Sequence, residues 1–123
     1  MSGIVESSAD ARSKTIGQNF RCRAWINFEG DSGSIGSGRA NGNVSSVTDN
    51  GASQGNYTIN FTTAMPDDDY CTVAIMGFVA AAFTIRLGDG SSGTYSASAV
   101  QVTCFNASGV LVDPNVVNVA VFR

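Results

Sequence analysis

The chain has 123 residues, 43% hydrophobic and only 14% charged, with 14 Gly, 2 Pro, 3 Cys and a net charge of −3. That is one domain's worth of chain, too poor in charge for a coiled coil and too rich in Val, Ile, Phe and Tyr for disorder along its whole length. Its single lysine, Lys14, argues against a broad nucleic-acid surface, and the absence of His removes His-activated nucleophiles, His acid–base chemistry and His-bound zinc.

In chain order, residues 1–18 are small and polar, carry mixed charge (Glu6, Asp10, Arg12, Lys14) and show no two-residue period. They read as an extended arm outside the core, with a β-domain over 19–123. Ile4, Val5 and Ile16 are the arm's apolar anchors for a partner. The arm holds no apolar run of the kind a secretion signal needs, and no stretch approaches the ~20 apolar residues of a membrane helix, so no membrane contact is expected.

From Phe20 the pattern is that of strands. Phe20, Cys22, Ala24, Ile26 and Phe28 alternate with Arg21, Arg23, Trp25 and Asn27, giving one apolar and one mixed face. Residues 29–34 break the strand, and a Gly/Ser-rich stretch runs to Gly42. Residues 44–48 read as a short strand closed by Asn50-Gly51, a tight-turn pair. Over 55–63, Tyr57, Ile59 and Phe61 share a face, and 65–69 is the next turn. Residues 70–79 are apolar on both faces, which predicts a central or interface strand. A strand over 83–87 leads to a Gly/Ser tip over 88–93. An alternating run over 94–105 groups Val100, Val102 and Cys104, and 116–122 is the last strand. Seven or so short strands, with no helical period past residue 18, predict an all-β fold, a small antiparallel β-sandwich or barrel.

The motifs that carry chemistry elsewhere are weak here. Gly30-Asp31-Ser32-Gly33 matches the tetrapeptide around a serine-protease nucleophile, but no His can activate the Ser, so it reads as a loop. Asp67-Asp68-Asp69 concentrates hard oxygen ligands without the spacing of a calcium loop, and reads as a solvated turn. Cys22, Cys71 and Cys104 are odd in number, form no CxxC pair and read as three buried, unbridged thiols. No catalytic residue, metal or cofactor is expected. Arg21, Arg23 and Trp25 share a face of the first strand. Guanidinium beside indole suits a carboxylate or a sugar. The favoured reading is that the two Arg pair with acidic side chains of a neighbouring strand or subunit and Trp25 lies half-buried; Arg and Trp also suit this face to an intersubunit contact.

The strands carry a recognisable wording: Arg23-Ala24-Trp25-Ile26-Asn27-Phe28-Glu29-Gly30, Gly42-Asn43-Val44-Ser45-Ser46-Val47-Thr48-Asp49-Asn50-Gly51, Tyr57-Thr58-Ile59-Asn60-Phe61-Thr62-Thr63-Ala64-Met65-Pro66-Asp67 and Val117-Asn118-Val119-Ala120-Val121-Phe122-Arg123. Together they resemble a β-module of bacteriophage virion proteins, found as the C-terminal piece of tail fibres. The resemblance covers roughly residues 19–123 and is looser over 76–109. With only a short arm before the module, the plan is similar to that of small trimeric cement proteins that decorate phage capsids. The resemblance implies a virion structural protein, made in the host cytoplasm, homotrimeric, and partnered by capsid or tail proteins. It implies no catalytic residues. The alternative it leaves open is a tail-fibre tip that holds a host surface glycan through loops 30–39 and 88–94.

Overall fold

The computed structural model describes residues 21–32, 35–50, 55–77, 83–88 and 94–123. The expected arm over 1–18, with Ile4, Val5 and Ile16, lies outside them, as do Phe20 and residues 89–93 of the Gly/Ser tip.

Among the described residues, nine strands form two antiparallel sheets, so the fold is an all-β sandwich. They are β1 (Cys22–Phe28), β2 (Ala40–Gly42), β3 (Val44–Asp49), β4 (Asn56–Phe61), β5 (Cys71–Gly77), β6 (Phe83–Leu87), β7 (Tyr95–Ser96), β8 (Ala99–Asn106) and β9 (Val116–Phe122). One sheet runs β2-β1-β9-β5 and the other β3-β4-β8-β6, with β7 also paired to β8.

The core follows from the two-residue period. Ala24, Ile26 and Phe28 of β1 and Val117, Val119 and Val121 of β9 face inward from the first sheet. Tyr57, Ile59 and Phe61 of β4 and Val100, Val102 and Cys104 of β8 meet them from the second. Each such large side chain contributes about 1.5–3 kcal/mol by leaving water. The Phe28 and Tyr57 rings meet edge to face, 5.1 Å apart at 72°. The Tyr57 hydroxyl donates to Asp113 Oδ1 at 2.8 Å, with the Gly30 carbonyl 3.0 Å away. The loop that begins at Gly30 is thereby fixed against the end of the core, and the Gly30 N–H donates to the Pro114 carbonyl at 2.9 Å.

Three sequence expectations are corrected. The Gly/Ser-rich stretch hides a strand, β2, because Asn43 turns the chain from one sheet into the other. Asn43 sits in the left-handed region (φ 57°), which Asn tolerates better than most residues. Its Nδ2 donates to the carbonyls of Arg23 and Thr63, each at 3.0 Å, and its Oδ1 accepts the Thr63 N–H at 2.7 Å.

The second correction concerns the 70–79 run, expected as a central or interface strand: it is not central, and the strand buried on both faces is β8. Gln101 and Thr103, on the side of β8 away from the core, are covered. Gln101 anchors both ends of the 88–94 segment: Gly88 N–H donates to its carbonyl and Thr94 N–H to its Oε1, both at 2.9 Å. β5, by contrast, is an edge strand.

The third concerns the thiols. All three are free, but Cys104 alone is buried. A register shift between Cys22 and Ala24 interrupts the alternation, so Cys22 leaves the apolar face. Cys71 is exposed as well, at the start of edge strand β5.

Candidate partner-binding face

The outer face of β1, β9 and β5 is built in rows by the strand register. Trp25 lies opposite Ala120, which lies opposite Val73; Asn27 lies opposite Asn118, which lies opposite Ile75. These residues point away from the core because Ala24, Ile26, Val119 and Val121 point into it. The result is an exposed apolar surface, with Trp25 at 45%, Val73 at 52% and Ile75 at 66% of full exposure. Between them lies a shallow depression of about 330 Å³, lined by Trp25, Val73, Ile75, Asn118 and Ala120 among others. No charged side chain lines it. Its polar contribution is internally paired, since Asn27 Nδ2 donates to Asn118 Oδ1 at 2.5 Å.

Trp25 is held by what stands beside it. Its partner on β2 is Gly42. A Cβ on Gly42 would collide with the indole Nε1 and come within 2.8 Å of Cδ1, so the ring lies across the bare glycine backbone.

Arg21 lies beyond the register shift between Cys22 and Ala24, and Arg23 lies within it, next to the part of β1 that carries Trp25. Arg23 donates its Nε–H to the carbonyl of Arg123 at 2.9 Å, a main-chain acceptor instead of the expected carboxylate. The Arg21 carbonyl accepts the Arg123 N–H at 3.3 Å. The acidic partner at this end of the sheet belongs to Arg123, whose guanidinium donates to both Asp67 oxygens at 2.9 and 2.7 Å. Those hydrogen bonds hold the Asp67 carboxyl below the usual carboxylate range, and Arg123 is raised in return. The Asp67–Asp69 turn is further closed by the Asp69 N–H on Asp67 Oδ1 at 3.0 Å.

The other cluster of polar residues lies around the loop after β1, where Arg39 forms an ion pair with Glu29. A smaller depression of about 180 Å³ opens there, lined by Glu29, Ser32, Ile35, Gly38 and Arg39. Among the described residues, no three His, Cys, Asp or Glu side chains are grouped to hold a metal ion, and no helix is long and apolar enough to cross a membrane.

Of the predicted site residues, the face takes in Trp25 and leaves Arg21 and Arg23 at its margin. Sequence reading passed over Asn27, Val73, Ile75, Asn118 and Ala120 as a group. The alternation of 116–122 puts Asn118 and Ala120 on one side, but only the pairing of β9 between β1 and β5 brings them beside Trp25. In comparisons with protein-family models, curated proteins and solved structures, the chain matches none.

Proposed function

We propose that this chain is a non-enzymatic structural protein of a bacteriophage virion, a decoration module that stabilises the shell by laying the outer face of β1, β9 and β5 on a capsid protein. The observation that carries the reading is the uncharged face centred on Trp25, Val73 and Ile75. In a chain of net charge −3, such a surface is kept at a solubility disadvantage, and covering it gains about 25 cal/mol per Å² of apolar area. A central Trp with aliphatic neighbours is the composition of an energetic anchor in protein–protein contacts. The sequence resemblance supplies the setting and the class of partner, with residues 1–18 as a second point of attachment.

The test is binding to undecorated shells. Trp25→Ala is expected to weaken decoration at least tenfold while leaving the fold intact, since the residue is outside the core. If Trp25→Ala decorates like the wild type, the reading of this face is wrong; if deletion of residues 1–17 then abolishes decoration, attachment belongs to the arm.

One observation favours a second reading, a glycan-binding tip. The flat indole beside the Asn27–Asn118 amide pair suits the apolar face and hydroxyls of a sugar ring. Trp25 is the protein's one tryptophan, so quenching or shift of its emission by host polysaccharide, with no shell binding, would decide for that reading.

A further inference from the structure

We propose that two copies of this chain join edge to edge through β5, antiparallel about a two-fold axis at Ala74, so that the sheet β2-β1-β9-β5 continues as one eight-stranded sheet. The proposal deepens the reading of the protein as an assembly module. It concerns contact between copies and needs no shell.

Among the described residues β5 pairs with β9 alone. Strand β6 of the other sheet comes alongside, but a depression of about 320 Å³ lined by Thr72, Val73, Ala74, Ile85, Arg86 and Leu87 opens between the two. On the side away from β9, no described strand pairs with the alternate N–H and C=O groups of Cys71–Gly77.

The other three edges are blunted in ways that β5 is not. β2 has three residues. β3 carries Asp49 and a register shift between Val44 and Ser46. β6 carries Arg86. β5 has seven residues (CTVAIMG), without charge or proline, in unbroken register with β9. Short edges, bulges and charges discourage strand addition, and β5 has none of them.

Charge decides the occupant and its direction. An uncharged strand can face its own copy without repulsion even though each chain carries −3. The acidic turn Asp67–Asp69 lies just before β5. A parallel pair would place two such turns side by side. An antiparallel pair centred on Ala74 puts them at opposite ends, the two Asp69 about ten residues or roughly 34 Å apart at 3.4 Å per residue, well beyond the ~8 Å screening length at physiological salt. Centred on Ala74, the pairing sets Val73 of each copy against Ile75 of the other, with side chains about 5 Å apart on the exposed face. A two-fold contact has to be self-complementary, and these two apolar pairs satisfy that. The two Trp25–Ala120–Val73 rows then lie on one surface. Such an assembly is a dimer, where the sequence resemblance implies a trimer, so the number of copies separates the two.

The experiment is sedimentation of the full chain, without virions, over a range of concentrations. Wild type is expected to approach twice the monomer mass of 12.7 kDa. Val73→Lys and Ile75→Glu should each weaken association at least tenfold. Mixing the two variants should restore the dimer, because the introduced ammonium and carboxylate then face each other across the joint. Circular dichroism confirms that both variants fold. In wild type, amide exchange at alternate residues of β5 should slow as concentration rises. A wild type that stays monomeric, an oligomer that survives both substitutions, or a loss of assembly that mixing does not rescue would each overturn the proposal. Trp25→Ala should leave the dimer intact, so failure to bind shells and failure to dimerise are read separately.

Discussion

The indole of Trp25 lies across Gly42, its partner on the neighbouring strand, and takes the space where any other residue would place a Cβ. The obstructing atoms belong to a side chain that can swing away, so Gly42→Ala should change stability by less than about 1 kcal/mol. It should instead displace the ring. Emission from the chain's one tryptophan is expected to shift, and shell binding to fall with it. Unchanged emission would show that the glycine does not hold the indole.

Asn43→Ala should be costly for a surface residue. It removes three side-chain hydrogen bonds to Arg23 and Thr63 and leaves alanine at φ 57°. A loss of about 2 kcal/mol is expected from urea unfolding. Asn43→Gly keeps the backbone freedom and loses only the clamp, so it should be less damaging than Asn43→Ala.

Thiol reactivity should divide two to one. Cys22 and Cys71 are exposed and Cys104 is buried, and burial pushes the Cys104 thiol up to about 12. An aromatic disulfide reagent should therefore modify two thiols quickly in the native protein and the third only after denaturation. Three fast thiols would contradict the burial of Cys104.

Stability should fall on the alkaline side. Burial raises Cys104 and Tyr70 to about 12, and raises Tyr57, helped by its hydrogen bond to Asp113. The folded state keeps protons that the unfolded chain releases, so this stabilisation is complete below about pH 9 and is lost as pH climbs toward about 12. Asp67 acts with the opposite sign. Its lowered carboxyl stabilises above the ordinary carboxylate range of about 4 and ceases to do so as pH falls further. That pair is exposed, so the acid limb should be shallow, and Arg123→Gln should flatten it. Unfolding midpoints across pH check both limbs.

The alternation of apolar residues made most of the fold legible. Tyr57, Ile59 and Phe61, the group Val100, Val102 and Cys104, and the strand over 116–122 all face as their period predicts. What escaped was set by features with no local signature. β2 forms because the Asn43 side chain takes over hydrogen bonds at a sheet corner, and nothing in Ala40-Asn41-Gly42 itself signals a strand. The Cys22 side chain turns outward because of one register shift. β5 resembles a buried strand because its outer residues are Val73 and Ile75, yet its place at the edge depends on which strand β9 chooses as neighbour.

The candidate site was legible only at Trp25. An aromatic among polar alternates marks an outward-facing anchor, but its companions come from residues 73–75 and 118–120, about fifty and ninety-five positions further along the chain. The register shift that turns Cys22 outward falls at Arg23 and leaves Arg21 beyond it, at the end of the strand. Arg23 found a carbonyl of Arg123, whose own guanidinium took Asp67.

Strand β9 stands between β1 and β5, and those two strands touch it instead of each other. Phe28 meets Val117 across nearly ninety residues of intervening chain. The first sheet has only the short β1–β2 pairing as a local seed: the long pairings of β1 and β5 wait until a distant segment arrives to lie between them. Folding on the scale of milliseconds to seconds is the consequence of so non-local a closure. Until it happens, the apolar sides of β1 and β5 are both open to solvent and to other chains, so refolding yield should depend on how dilute the chains are when they start.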